Sequence, residues 1–435
     1  MPQYKKLHIL VATFSWGVLL SYLWMAPRAY DRMSRGYGDF SNFYTAGKIL
    51  QRGQGKQLYD LALQTQVQNE FSEASALRNR ALPYMRPPFE ALLFVPLCHF
   101  PFARAYAIWV VLSMFLVGVT AAYLRSRIPG LAATPWWVYC PLCFSFYPIV
   151  FGLILGQDAA LVFFLFGLAT VKLLEGQDLR AGFWLGLSLI KFQLVLPLLF
   201  ILFLKKQFRA LAGFSLVAAI LGTVSLWVVG VKGLSAYPAY LWRLNEKGAA
   251  AAIYPSVMPS LRGLVQGWTD PLRPIHSLEM ITAALSLALL LWAARQWPTS
   301  SARTSKVYLA GLAIVFLATL LAGYHEFGYD LSLVFPIALL AATAGCDDGS
   351  LDRTTRRALL FSAAALLCPP LYLLLISAAR LNLMAIPLLC LAWGLARAVK
   401  IWAAAQANAE LFHSATGWSR ALADKTLEPT IVPLG

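Results

Sequence analysis

Charged side chains are scarce in this chain of 435 residues. Asp, Glu, Lys and Arg make up 13% of it, whereas 59% is hydrophobic. Soluble domains carry roughly a quarter charged residues, so this composition, with a mean hydropathy of +0.63, excludes an ordinary soluble protein. Acidic residues are also few, and the formal net charge is +16. In a membrane protein such an excess belongs first to the loops on one side of the bilayer, so we expect no nucleic-acid partner.

Several motifs that would indicate common chemistries are absent. The chain has no GxxxxGK[ST], GxGxxG or HExxH motif, and no GxSxG motif in a soluble domain, which argues against nucleotide-driven transport and ordinary hydrolase chemistry. Of six cysteines, only Cys140 and Cys143 have CxxC spacing, and they lie within an apolar run. We therefore predict neither a metal site nor a cofactor.

The apolar residues are grouped into stretches long enough to cross a bilayer as helices. Ten such stretches lie at about 8–26, 103–124, 132–150, 157–174, 208–230, 279–296, 307–322, 331–345, 357–378 and 381–399. The stretch between Arg180 and Lys205 is also long enough, but Lys191, Gln193 and Pro197 interrupt it and both ends are basic. We interpret it as a re-entrant helical pair. The sequence thus predicts an all-α integral membrane protein.

Basic residues fix the predicted orientation. If the N-terminus is inside, every inner loop carries Lys or Arg, as the positive-inside rule requires. The membrane domain then covers 1–401, with a large first outer loop at 27–102, a second at 231–278, and a cytoplasmic tail at 402–435. The apolar run at 8–26 is long and no small-x-small site follows it, which favours an uncleaved first helix over a signal peptide.

The first outer loop begins with a candidate catalytic residue. Phe40, Phe43, Tyr44 and their successors recur at helical spacing, which predicts a short amphipathic helix at the membrane surface. A second helix is expected over 58–79. Asp39 directly precedes the first of these helices, so it is either the helix N-cap or a general base. The two roles compete because capping lowers the pKa of a carboxyl group.

Two cationic residues, Arg86 and Lys191, lie at positions that need an explanation. Arg86 precedes Pro87 and Pro88, which predict an extended chain entering the membrane at an angle. Arg86 either holds a phosphate there or snorkels to lipid headgroups. Lys191 lies within an apolar stretch, where a charge is costly unless it meets an anion or a wet cavity. It either binds a ligand or pairs with Asp158, which follows Gln157 at the start of the fourth span.

The densest polar cluster of the second half lies in YHEFGYD. His325 and Tyr329 are four residues apart, as are Glu326 and Asp330. We expect Asp330 to cap the following span. His325 lacks a second His or Cys nearby for a metal, so we interpret it as a hydrogen-bond or phosphate contact. Arg262, in MPSLRGL, is a weaker candidate.

Six blocks occur in order across most of the chain: DFSNFYTAGKILQRGQGKQLYD, RPPFEALLFVPL, LGQDAALVFFL, SLIKFQLVLPLLF, MPSLRGL and YHEFGYDLSLV. Together they resemble glycosyltransferase family 87, the polyprenyl-phosphate-mannose-dependent mannosyltransferases of GT-C fold. The resemblance implies a hexosyltransferase in the bacterial inner membrane. It would move a sugar, expected to be mannose, from a polyprenyl-phosphate donor to a lipid or glycan acceptor at the periplasmic face, without a cofactor.

The resemblance also assigns roles. Asp39 matches the general base of an inverting transfer, His325 the late histidine, and Lys191 and Gln193 a Lys-x-Gln pattern in which Phe192 replaces the usual proline. Glu326 departs from the family beside the histidine, and these departures bear on the identity of donor and acceptor. A pentose donor such as arabinose would need the same groups. The candidates for the donor phosphate are Arg86, Lys191, Gln193, Arg262 and His325, with Tyr44, Gln157, Glu326 and Tyr329 in support.

The competing hypothesis is a lipid or solute transporter with a midplane site at Lys191 and Asp158. An enzyme should depend on Asp39 and the outer loops. A transporter should depend on the midplane charges and open to both sides.

Overall fold

The computed structural model describes residues 2–247, 253–269, 275–347, 349–377 and 382–425. Within these ranges the chain is helical and contains no strand, as the lengths of the apolar stretches predict. The first half forms α1 (Pro2–Arg32), α2 (Phe40–Gln51), α3 (Leu61–Asn69), α4 (Glu73–Arg78), α5 (Ala91–Phe94), α6 (Phe102–Arg127), α7 (Pro129–Ala132), α8 (Trp136–Ser145), α9 (Tyr147–Leu155) and α10 (Ala159–Leu174). The second half forms α11 (Asp178–Leu187), α12 (Phe192–Leu204), α13 (Phe208–Lys247), α14 (Leu261–Gln266), α15 (His276–Gln296), α16 (Lys306–Ala322), α17 (Val334–Asp347), α18 (Arg353–Leu367), α19 (Pro369–Ser377) and α20 (Ala385–Lys425).

The helices confirm a multi-pass membrane protein but correct the number of spans. In the described ranges seven helical stretches are long and apolar enough to cross a bilayer, or nine if two bent pairs count as one span each. The predicted spans at 132–150 and 357–378 are these bent pairs, with bends of 51° and 89°. Pro148 and Pro369 lie in the first turn after each bend, where a missing N–H group is tolerated. Helices α10 and α16 are shorter than a full span.

The stretch 178–204 doubles back, as predicted for a re-entrant pair, although by length alone it could cross once. Arg303 bonds both the carbonyl of Leu173 and the carboxylate of Asp178, so α11 begins where α10 ends. A short 3₁₀ turn ends at Lys191, which reaches Asp158 at the start of α10. Gly182 and Gly186 of α11 pack against the first turns of α13 in the same direction. Helix α12 must therefore return to the end where α11 began.

Two helices run past the predicted ends of their spans. Helix α13 does not end at 230, because it kinks at Gly230 (φ 71°) and continues to Lys247. The first part of the predicted second outer loop is therefore helical. In the predicted tail, α20 runs on to Lys425, and 426–435 lie outside the described residues.

The first outer loop is a packed unit. Helix α2 has the predicted position, but Phe40, Phe43 and Ile49 are buried within a cluster that includes Phe94 and Trp109. Its apolar face therefore contacts protein, which corrects the prediction of a helix lying on the membrane. The predicted helix at 58–79 is two helices, α3 and α4. The second begins at Glu73, directly after Ser72, whose hydroxyl oxygen accepts a hydrogen bond from the backbone N–H of Ser75.

Candidate active site

Asp39 lies between the π-helical turn Met33–Tyr37 and α2. It occupies the N-cap position of α2, yet its side chain makes no capping hydrogen bond. The capping alternative is therefore wrong. Instead, Gln157 Nε2 donates to Asp39 Oδ2 at 2.7 Å. Burial raises the pKa of Asp39, while the Gln157 hydrogen bond and the charges of Arg86 and Lys191 oppose that shift.

Gly156 makes the turn that brings Gln157 to Asp39. It ends α9 in the left-handed region (φ 66°), a conformation that costs an L-residue about 1–2 kcal/mol. A Cβ atom there would also lie 2.7 Å from Phe40 Cβ, next to Asp39. The carbonyl of Gly156 accepts a hydrogen bond from the buried Trp109 indole. The close contact between the α9–α10 turn and α2 therefore depends on the absence of a side chain at Gly156.

We expect Gly156→Ala to lower the unfolding temperature and to impair any activity that depends on Asp39, because relieving the clash separates Gln157 from Asp39. Gly176→Ala is the matched control, since Gly176 has φ 75° but open space around its Cβ position. Gly176→Ala should lower the unfolding temperature only by the effect of the backbone strain. Equal effects of the two substitutions, measured by thermal unfolding in detergent, would contradict this account of the turn.

Arg86 projects from an extended segment anchored by backbone hydrogen bonds. The side chains of Gln64 and Gln68 bond the backbone of Tyr84 and Leu82, and the Tyr59 hydroxyl donates to the carbonyl of Arg86 at 2.8 Å. Arg86 Nη2 donates to Gln157 Oε1 at 3.3 Å and to Asp158 Oδ1 at 3.2 Å. The extended chain predicted at the Pro pair is confirmed, because the backbone stays extended until the 3₁₀ turn Pro88–Glu90 begins.

Lys191 is fully enclosed between two carboxylates. Its Nζ lies 3.0 Å from Asp158 Oδ1, bonds Asp330, and sits 4.7 Å from the centroid of the Tyr329 ring. Lys191 and Asp158 are both 0% exposed. The pairing alternative is thus what the structure shows. Asp330 also accepts the backbone N–H of Phe327 at 2.9 Å, so it both caps the turn and neutralises the lysine.

Arg262 contacts the imidazole ring of His325 and positions it. Nη1 of Arg262 lies 3.3 Å from His325 Nδ1 and 3.2 Å from the carbonyl of Tyr324, and Nη2 donates to Asn245 at 2.8 Å. An arginine N–H can only donate, so Nδ1 accepts and the imidazole proton is on Nε2. Burial and the charges of Arg262 and Arg86 lower the pKa of His325 to about 3. The ring is therefore a neutral hydrogen-bond donor at pH 7.

Asp39, Arg86, Gln157 and His325 line one cavity of about 410 Å³. Its polar lining comes from the first outer loop, the α9–α10 turn, the start of α12, the end of α13 and the loop before α17: Asp39, Asn42, Arg86, Gln157, Gln193, Asn245 and His325. Its remaining lining is largely apolar and aromatic: Phe43, Leu82, Pro83, Met85, Phe192, Pro238, Leu241, Trp242, Ile253, Tyr324 and Phe327. Such a cavity suits a ligand with a polar head and an apolar tail.

The structure separates the predicted site residues into two groups. Asp39, Arg86, Gln157, Gln193 and His325 line the cavity. The others lie outside its lining: Lys191, Arg262, Glu326, Tyr329 and Tyr44. The Tyr44 hydroxyl donates to the carbonyl of Phe100 at 2.8 Å, within the core of the first outer loop.

Sequence reasoning missed Glu90 and the pairing role of Asp330. Glu90 is 0% exposed and lies close to Asp158. One signal was available, because Glu90 is the single charge in the apolar stretch PPFEALLFVPL. For Asp330 the predicted capping role already explained the presence of an acidic residue. Its partner, Lys191, lies 139 residues away in the sequence.

The fold and the cavity define a polytopic helical membrane protein with a polar site built largely from loops and helix ends. The model of glycosyltransferase family 87 matches residues 84–323, more than half of the chain. The chain therefore belongs to glycosyltransferase family 87, and the protein is a membrane glycosyltransferase. Asp39 and His325 lie outside the matched residues. No curated protein and no solved structure matches the chain.

Proposed function

We propose that the protein transfers a sugar, mannose in the first instance, from a polyprenyl-phosphate donor to a lipid or glycan acceptor, with inversion and with Asp39 as general base. The observation that carries the proposal is the position of Asp39. It is the one carboxylate among the residues that line the described cavity, and its bond to Gln157 fixes it there. The apolar lining residues support a lipid-linked donor, since an isoprenoid tail needs such a surface.

The proposed reaction is a single displacement. The acceptor hydroxyl oxygen forms a bond to the anomeric carbon while the bond from that carbon to the phosphate oxygen breaks, and Asp39 takes the hydroxyl proton. The phosphate leaves as an anion with the bonding electron pair. We propose that Arg86, through the nitrogens not bonded to Gln157 and Asp158, and the Nε2–H of His325 donate to this phosphate. Arg262 positions His325 and does not itself line the cavity.

Lys191 takes a different role from the one predicted. Because it is enclosed and paired with Asp158 and Asp330, we propose that it holds the α9–α10 turn against the loop before α17. The transporter hypothesis placed a substrate or proton site at Lys191 and Asp158, and the full burial of both residues outside the cavity lining argues against such a site. We propose that the end of the bundle with the basic loops is cytoplasmic, as the positive-inside rule favours, and that the cavity faces the periplasmic side of a bacterial inner membrane.

The proposal is tested by transfer assays with purified protein in nanodiscs. Polyprenyl-phosphate-mannose and the matching nucleotide sugar are offered separately, each with a mixture of lipid and glycan acceptors. We expect product from the lipid donor only. Product from the nucleotide sugar alone would contradict the assignment of donor, and product from a polyprenyl-linked pentose in place of mannose would correct the sugar.

The base role predicts a pH dependence. Asp39 must be ionised to accept a proton, so kcat/KM should fall as the pH drops through its pKa, which burial raises above that of an exposed aspartate. Gln157→Leu removes a hydrogen bond to the ionised form, which raises the pKa further and should move the acid limb to higher pH. The limb in Gln193→Leu, a cavity residue without contact to Asp39, should stay in place. An unmoved limb in Gln157→Leu would count against Asp39 as the titrating base.

A further inference from the structure

Carboxyl groups outnumber cations in a buried cluster next to the cavity. Six ionisable side chains form one cluster there: Arg86, Lys191, Asp158, Asp330, Glu90 and Glu326. The two cations balance two carboxylates, and their direct partners are Asp158 and Asp330. No group of three or more His, Cys, Asp or Glu side chains that could hold a metal ion occurs among the described residues. Two carboxyl groups therefore have no compensating charge.

Glu90 is the first of these two groups. Its side chain is fully buried, and neither carboxyl oxygen has a hydrogen-bond partner. Asp158 Oδ2 is also buried; it lies 3.2 Å from Arg86 Nη2 but accepts no hydrogen bond. Two ionised carboxylates can only accept, so they cannot bond each other unless one carries a proton. A single proton between Glu90 and Asp158 would satisfy both groups.

Glu326 repeats this arrangement on the other side of Lys191. It is 0% exposed, both of its oxygens lack a hydrogen-bond partner, and it lies beside Asp330. Gly323 leaves the space that this carboxyl occupies, because a Cβ atom there would collide with Glu326 Oε1. The chain thus encloses a second acid next to each aspartate that contacts the lysine.

We propose that Glu90 and Glu326 are neutral carboxylic acids that donate their O–H groups to Asp158 and Asp330, and that they act as positioning residues for the cluster. With both acids neutral, the two cations and two aspartates cancel. Asp39 then contributes the net negative charge at the cavity. The two acids hold Asp158 and Asp330 in position to bond Lys191 and Arg86. The consequence for transfer rests on the proposed function, whereas the protonation of the acids does not.

The groups around each acid favour the neutral form on balance. For Glu90, burial and Asp158 raise the pKa, while Arg86 and Lys191 oppose that shift. The phenols of Tyr59, Tyr84 and Tyr237 also face it and remain neutral. For Glu326, burial and Asp330 raise the pKa, while Lys191 and Arg86 oppose it. Desolvation is the largest cause in both cases, as expected for acids without a hydrogen-bond donor of their own.

Infrared difference spectroscopy tests the protonation directly. Wild type is compared at pH 7 with Glu90→Gln and Glu326→Gln, in H₂O and D₂O. Each variant should lose a band in the C=O stretching region of protonated carboxyl groups, and that band should shift in D₂O. Asp31→Asn, which removes an exposed carboxylate paired with Arg35, should lose intensity only in the carboxylate region. Loss of carboxylate intensity in the Gln variants would overturn the proposal.

Conservative replacement tests the positioning role. An amide N–H can replace the acid O–H, so Glu90→Gln and Glu326→Gln should keep the wild-type unfolding temperature and most of the transfer rate. Glu90→Ala and Glu326→Ala remove the donor and should lower both. If the Gln and Ala variants fall equally, the side chains act as anions and the proposal is wrong. The spectra decide the protonation even where no donor supports transfer, so failure of this inference is distinct from failure of the proposed function.

Discussion

Replacing Asp39 by Asn should reduce transfer by roughly 10²- to 10⁴-fold, the contribution typical of a general base, while donor binding is retained. The amide keeps the shape of the side chain but cannot take the acceptor proton. The Gln157 amide can still donate to the Asn oxygen, so the contact with the α9–α10 turn survives. Single-turnover rates and donor affinity, measured on the same preparation, separate the two effects.

Asp31→Asn is the matched control for that substitution. Asp31 lies eight residues earlier, at an exposed position of α1, where its carboxylate bonds Arg35. Its replacement should leave the transfer rate unchanged. Near-normal turnover in Asp39→Asn would remove Asp39 from the base role, whereas loss of donor binding in that variant would make it a ligand-binding residue.

Lys191→Met should destabilise the protein by about 3–5 kcal/mol, the usual cost of breaking a buried ion pair. The substitution leaves Asp330 without a cation and Asp158 with Arg86 alone, both in buried positions. The effect should appear in the free energy of unfolding in mixed micelles, independently of any donor.

Lys400→Met serves as the control, because Lys400 is exposed on α20 and its loss should change stability little. Adding Asp330→Asn to Lys191→Met should recover part of the stability by removing one unpaired charge. If Lys191→Met instead keeps the wild-type stability and loses donor binding, the lysine contacts the phosphate as the sequence analysis first suggested.

The sequence predicted the helical membrane fold because that information is local. Apolar stretches, basic loops and the interruptions at Lys191 and Pro197 indicate spans and the hairpin directly. The number of full spans was overestimated because hydropathy does not register the bends before Pro148 and Pro369, and because α10 and α16 are shorter than a full span. The end of α13 was misplaced because the kink at Gly230 does not end the helix.

The site was predictable only in part. Asp39, Arg86 and His325 stood out because each is polar beside an apolar run, and the structure brings them to one cavity. The pairing of Lys191 with Asp330 joins residues far apart in the sequence. No local pattern distinguishes a lysine that meets a ligand from one that meets a distant carboxylate.

The most direct test of the central claim is the stereochemistry of transfer. A polyprenyl-phosphate sugar of known anomeric configuration is supplied to the wild-type protein in nanodiscs, and the configuration of the new glycosidic bond is determined by NMR. A single displacement assisted by Asp39 predicts an inverted anomeric centre. Retention of the donor configuration would contradict the account, since it requires an intermediate or a mechanism in which Asp39 is not the base for direct attack.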